Sequence, residues 1–265
     1  MLVVGLTGGI ASGKSTVSRL IQERHHIPLI DLDLLARQVV EPGTTTLIAL
    51  VKAFGAEILQ PDGTLNRPAL GRIAFGDESK RKELNKITHS AIRKRMVWLL
   101  IGYWLRGTRI VVVDTPLLVE AGLWKWCGEA VLVWCSAEDQ LKRMLLRDTD
   151  KGLTEEDARS RLAAQWDLNK KKNYADVVLD NSKPLRPHEA ASNPGTKDED
   201  SLEEQVQRLV ARWRRQTASV TGVAKWLVAW LVPPVGLLMG YLFAKRREWE
   251  FSVRLRTAGE DAKAE

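Results

Sequence analysis

The run Gly8-Gly9-Ile10-Ala11-Ser12-Gly13-Lys14-Ser15 has the residue types and spacing to hold the phosphates of a nucleotide. It fits G-x-x-x-x-G-K-[ST] at every fixed position. A strand-length apolar run, Leu2 to Leu6, precedes it, and a helical pattern beginning at Thr16 follows. Backbone N–H groups can converge on phosphate oxygens only where side chains are absent and unusual backbone angles are allowed, which Gly8, Gly9 and Gly13 permit. The helix after the loop points its positive end at the same phosphates. Lys14 has the reach for the β and γ phosphates, and the Ser15 hydroxyl suits Mg²⁺. The bland alternative is a chance glycine-rich turn.

A phosphate loop serves kinases, GTPases and motor ATPases alike. Guanine readers carry Asn-Lys-x-Asp, and the nearest approach here, Asn169-Lys170-Lys171-Lys172, lacks the aspartate. A small-molecule kinase needs an acceptor site and arginines that close over the transferring group. Asp31 and Asp33 close the second apolar run, where an open parallel sheet places its ligands. Strand alternation would turn both to one side, one towards an acceptor hydroxyl and the other towards the metal. The alternative is that they cap the following helix. Asp114-Thr115-Pro116 ends another apolar run, where phosphate-loop proteins keep a second carboxylate, or else forms a helix cap or a turn.

These residues need a scaffold. Apolar runs at 2–6, 27–30, 109–113, 130–135 and 176–179 alternate with helical stretches at 14–24, 33–40, 79–105, 137–147 and 155–172. That alternation predicts an α/β chain, doubly wound about a parallel sheet. The gap at 31–108 is mostly helical and suits an inserted substrate subdomain. Thr154 and Ser201 are each followed three residues later by an acidic side chain, the pattern of a helix start. Residues 183–200, rich in Pro and charge, read as a linker, and 201–216 as an amphipathic closing helix.

Bulk properties agree with a globular protein: 45% hydrophobic and 28% charged residues, with a formal charge of +7. That excess suits a polyanionic small substrate, nucleic acid or an acidic membrane face without choosing among them. Cys127 and Cys135 are too far apart for a CxxC motif, so a zinc site is not expected, and two reduced, partly buried thiols are. No secretory signal fits ahead of the phosphate loop. From Trp226 to Phe243 there are 18 uncharged residues. As a helix they would reach about 27 Å against a hydrocarbon layer of about 30 Å. Trp226, Trp230 and Tyr241 lie towards the ends, basic residues flank both sides, and Pro233-Pro234 interrupts the middle. A membrane-associated tail over 217–265, as a span or a hairpin, is the expectation, and it should be separable from the catalytic part.

Taken together, these motifs resemble the dephospho-CoA kinase family. The match rests on Gly5 to Ser15, on Asp31-Leu32-Asp33 with Arg37 and Glu41-Pro42-Gly43, and on Asn85-Lys86-Ile87-Thr88-His89. It continues through Asp114 to Glu120, Gln140 to Arg143, Arg161 to Gln165 and Asp180-Asn181-Ser182, covering about 1–216 apart from the linker. The resemblance implies a P-loop NTPase three-layer fold: a core over 1–182, a helical acceptor-binding insertion at about 33–107 and a lid at about 140–172. It implies ATP and Mg²⁺ as cosubstrates, dephospho-CoA as acceptor, and no nucleic acid partner. Asp33, Lys14 and Arg143 would then be catalytic. Gly8, Gly9, Ile10, Ala11, Ser12, Gly13, Lys14, Ser15, Thr16, Arg147 and Asn181 would meet ATP; Thr7, Asp33, Arg37, His89 and Leu117 would meet the acceptor. Ser15 would touch Mg²⁺, with Asp31 and Asp114 as candidates for its surroundings. Ala11 stands where many members have glycine, and ordinary backbone geometry is expected of it. Other readings are a nucleoside monophosphate kinase of the same architecture and a membrane-anchored nucleotide-binding adaptor. The catalytic part is expected in the cytosol, attached to the endoplasmic reticulum or the mitochondrial outer membrane.

Overall fold

Each apolar run becomes a strand: β1 is Leu2–Gly8, β2 Leu29–Asp31, β3 Ile110–Asp114, β4 Glu129–Trp134 and β5 Val177–Asp180. The computed structural model describes residues 1–148, 152–182, 201–219, 240–242 and 244–252. The sheet order is β2-β3-β1-β4-β5. β1 lies between β3 and β4, parallel to both, and β4 runs parallel to β5. Parallel neighbours require crossover connections, which the helices between the strands supply.

A central parallel strand is covered on both faces, so β1 is apolar as far as Leu6 and carries no charge. On one side Val4 and Leu6 pack with Val17, Ile21, Val206, Leu209, Val210 and Trp213. On the other, Val3 joins a cluster of Leu118, Val119, Trp124, Cys127 and Ala130. Gly5 has no room for a side chain, since a Cβ there would lie 2.6 Å from Leu118. This is the three-layer α/β fold of phosphate-loop kinases.

The helices start where capping side chains stand. α1 covers Lys14–Arg19 and runs into a π-helical turn over Leu20–Arg24. α2 is Leu32–Gln38, α3 Thr45–Phe54, α4 Arg67–Phe75 and α5 Glu78–Leu105. Thr44, Asn66 and Asp77 accept amide hydrogen bonds at the starts of the last three. α6 is Ala137–Arg147, α7 Glu155–Ala163, α8 Leu168–Lys172 and α9 Leu202–Ala218. The Thr154 and Ser201 hydroxyls accept from the amides of Asp157 (3.1 Å) and Glu204 (3.2 Å). The stretch 155–172, read from sequence as continuous, is two helices. Asp167 restarts the second, accepting from the Asn169 amide at 2.7 Å.

The chain divides into two units: residues 1–29 with the described part of 108–265, and residues 30–107. The second unit carries α2 to α5 around Val40, Leu50, Phe54, Ile58 and Leu70. The linker read at 183–200 lies outside the described residues, as does the uncharged segment 226–243 apart from 240–242. Among the described residues no helix is long and apolar enough to cross a membrane.

The end of the chain departs from expectation. Residues 240–242 and 244–252 are helical. Phe251 packs into the cluster around Trp124, and Arg247 bonds Asp176 at 2.6 Å. This part of the tail therefore packs against the first unit. The sequence hid the contact because its partners lie about 75 to 125 residues upstream.

Candidate active site

The phosphate loop joins the end of β1 to the start of α1. Gly13, at φ 96°, leads into the helix, while Ala11 stands at φ 58°. The ordinary geometry expected of Ala11 is thus corrected: it occupies the left-handed region, which costs an L side chain roughly 1–2 kcal/mol. The loop turns on a Ser12 N–H to Gly9 carbonyl bond of 3.2 Å. Gly8 must be glycine because a Cβ would lie 2.6 Å from Ser12 Oγ, which is buried and has no hydrogen-bond partner among the described residues.

Three amides clamp the loop from outside. Gln140, on α6, donates Nε2–H to the Ile10 carbonyl at 2.6 Å. The Ile10 N–H donates to Gln165 Oε1 at 3.0 Å. Asn181 donates Nδ2–H to the Ser12 carbonyl at 2.8 Å. A Cβ at Gly9 would collide with Gln140, and one at Gly13 with Asn181. Gln140 and Gln165 are not among the expected site residues, although both lie in motifs that carry the family resemblance. Glutamine carries no chemical signal of its own until the loop it holds is in place.

Lys14 Nζ lies 2.6 Å from Asp114 Oδ1. The other carboxylate oxygen, Oδ2, is 2.6 Å from Ser18 Oγ, whose single proton is shared between it and the Lys14 carbonyl at 3.0 Å. Asp114 is only 4% exposed. A buried carboxylate needs such partners, and this one fixes the lysine at the mouth of the loop while its remaining N–H groups can turn to phosphate. Ser15 and Thr16 are exposed in the first turn of α1.

Arg143 Nη2 donates to the Asn181 carbonyl at 2.6 Å, linking α6 to the residue that holds Ser12. Arg147 is exposed and pairs with buried Asp148 at 2.8 Å. Residues 149–151, within the expected lid, lie outside the described residues.

Beyond β3, the Pro116 carbonyl accepts from Thr7 Oγ1 at 3.1 Å and from Lys171 Nζ at 2.7 Å. Lys171 also forms an ion pair with Glu120 at 2.8 Å, without a well-directed hydrogen bond. Its side chain is 1% exposed. In sequence it is one of three consecutive lysines; its place at the end of α8 turns it inward. Leu117, in the same loop, is 51% exposed.

The second unit holds the other expected residues. β2 ends at Asp31, and α2 has already begun at Leu32. The strand alternation expected of the two aspartates is corrected: Asp33 is helical, and Asp31 is the cap. Asp31 Oδ1 accepts from the amides of Asp33 at 2.8 Å and Leu34 at 3.0 Å. Asp33 and Arg37 are exposed one helical turn apart on α2. His89 is exposed on α5, which packs against α2.

A family model described as dephospho-CoA kinase matches residues 2–186. The chain belongs to the dephospho-CoA kinase family. It is 48% identical over 185 residues to Dephospho-CoA kinase of Arabidopsis thaliana, across 70% of this chain and 78% of that one. With Dephospho-CoA kinase of Shouchella clausii the identity is 50% over 179 residues, 68% of this chain and 89% of the other. A crystal structure from Thermus thermophilus superposes with a TM-score of 0.62 at 28% identity, covering 80% of this chain and 97% of that one. Dephospho-CoA kinase from Campylobacter jejuni shares the fold, with a TM-score of 0.51 at 22% identity over 80% and 96% of the two chains. As a member of this family the chain is an ATP-dependent kinase. The matched span stops at 186, short of the 216 expected, so α9 and everything after it lie beyond it.

Proposed function

We propose that this kinase transfers the γ-phosphoryl group of ATP to the ribose 3′-hydroxyl of dephospho-CoA, completing coenzyme A. The observation that carries the reading is the phosphate loop with Lys14 fixed on buried Asp114, in a chain of this family. Lys14 holds the β and γ phosphates, together with the loop's backbone N–H groups. Arg143, anchored through Asn181, offsets charge on the transferring group. Asp33 accepts the acceptor hydroxyl's proton or orients it. Arg37, His89, Thr7 and Leu117 line the acceptor site, and Arg147 and Asn181 complete the ATP site.

The donor set fits Mg²⁺ bound chiefly by nucleotide phosphates and water, the usual manner for this ion. Among the described residues no cluster of three His, Cys, Asp or Glu side chains could hold a metal. Ser15 offers its exposed hydroxyl, with Asp114 behind Lys14. When bound, the ion supplies charge neutralisation across the β and γ phosphates. Steady-state assays with dephospho-CoA, AMP, CMP and UMP test the acceptor. Dephospho-CoA should exceed the nucleotides in kcat/KM by at least a hundredfold. A nucleoside monophosphate equalling it would make the chain a nucleotide kinase.

We further propose that 226–243 associates with a membrane surface as a hairpin with both flanks on the cytosolic side. The uncharged run and its basic flanks support this. So does the attachment of α9, before it, and 244–252, after it, to the same unit. Protein released from membranes by high salt or alkaline carbonate would show that the segment is not embedded.

A further inference from the structure

The helical residues 244–252 lie outside the span that matches the kinase family, yet they close over one corner of its core. Phe251 meets the Trp124 ring edge-on at 4.7 Å between centroids and the Tyr174 ring at 4.4 Å. Arg247, 9% exposed, bonds Asp176 Oδ2 at 2.6 Å and lies 5.8 Å from the Trp124 ring. Asp176 Oδ2 also accepts from the Ala130 amide at 2.7 Å, so the arginine grips the carboxylate that joins the starts of β4 and β5. Lys125 and Glu248 close the outer edge at 2.7 Å.

Two routes lead from this corner to the loop that carries Leu117. One is direct, because Phe251 belongs to the apolar cluster that buries Leu118 and Val119. The other runs through Tyr174, whose N–H donates to the Lys171 carbonyl at 3.0 Å. The buried Lys171 ammonium in turn donates to the Pro116 carbonyl, which also accepts from Thr7. Thr7, Pro116 and Leu117 are all on the acceptor side of the proposed site. The ATP-side clamps Gln140, Gln165 and Asn181 bond the phosphate loop instead.

We propose that Arg247 and Phe251 are positioning residues for the acceptor: the C-terminal segment braces residues 116–120 through the Trp124 cluster and through Tyr174 and Lys171. The brace rests on the reading of dephospho-CoA as acceptor for its kinetic consequence, but not for its structural one. An open cleft of about 280 Å³, lined in part by Trp124, Tyr174, Arg247 and Phe251, lies alongside the segment. The brace is made by the Phe251 ring contacts and the Arg247–Asp176 pair, so single substitutions should weaken it.

The test uses the full-length chain with Phe251→Ala, Phe251→Leu and Arg247→Ala, and exposed Trp249→Ala as control. Phe251→Ala and Arg247→Ala should raise KM for dephospho-CoA at least fivefold and leave KM for ATP within twofold. Phe251→Leu should recover most of the loss, and Trp249→Ala should change neither constant. Hydrogen exchange supplies a readout that needs no substrate. The amides of Ala121, Gly122 and Leu123, which bond back to Leu117, Val119 and Leu118, should exchange at least tenfold faster in Phe251→Ala. Faster exchange with inactive wild-type protein on dephospho-CoA would sink the acceptor reading and keep the brace. Unchanged exchange, or equal rises in both KM values, would overturn the brace itself.

Discussion

Removing the Lys14 ammonium takes away two things at once: a cation for the phosphates and the partner of buried Asp114. Lys14→Ala should therefore lower kcat at least a hundredfold and also destabilise the fold by about 3 kcal/mol, because a buried carboxylate is left uncompensated. The double variant Lys14→Ala/Asp114→Asn separates the two. Denaturant unfolding should show stability regained while turnover stays lost; activity regained with it would remove Lys14 from the chemistry. The aspartate pair divides in a similar way. Asn caps a helix as well as Asp, so Asp31→Asn should leave stability and kcat nearly unchanged. Asp33→Asn should lower kcat at least a hundredfold with ATP binding intact. The reverse ranking in steady-state kinetics would exchange their roles. Phosphate-loop residues were legible in sequence because glycines and a lysine at this fixed spacing suit little besides a phosphate. The capping role of Asp31 was an open alternative that only the end of β2 decides, and Ala11's left-handed backbone left no trace in a residue type that rarely adopts it.

Helices with a capping residue and a periodic apolar face were readable, and α9 is the clearest case. Ser201 starts it, and Val206, Leu209, Val210 and Trp213 form one buried stripe against the sheet. Trp213 is fully buried, and its indole N–H donates to Glu129 Oε1 at 2.8 Å. Trp213→Ala should cost about 3–5 kcal/mol, measured by denaturant unfolding, although the helix lies beyond the matched span. A loss under 1 kcal/mol would mean that the sheet closes without α9. The break between α7 and α8 was not readable, because both halves are polar and charged and the inward turn of Lys171 depends on Glu120 and Pro116, some fifty residues upstream.

Across the whole molecule, charge and burial set how stability responds to pH. Burial pushes the Cys127 thiol up to about 12, with the Arg247 cation acting weakly in the other direction. A thiol held neutral in the fold contributes stability that is fully present below its unfolded pKa, near 9, and is lost as pH rises from there towards 12. Unfolding free energy should fall with alkali over that window, and less steeply in Cys127→Ala; identical slopes would mean that the thiol ionises without unfolding. The parallel sheet was legible from five apolar runs, whereas the attachment of the C-terminus was not, since it unites residues near 124, 174 and 250 that share no local pattern. That attachment changes what kind of sequence the last quarter of the chain is. The helix that ends before Ser219 and the helical residues 244–252 both belong to the first unit. The stretch between them is thus an insertion with two fixed ends and not an appendage with one. An engineered protease site placed there, once cut, would give two fragments that still elute together, held at the interface of Arg247 and Phe251. Fragment exchange would then report the affinity of the C-terminal piece as a dissociation constant. The peptide bond now lends that interface only an effective concentration, and lengthening the connection twofold would cost only about 0.6 kcal/mol in closure entropy.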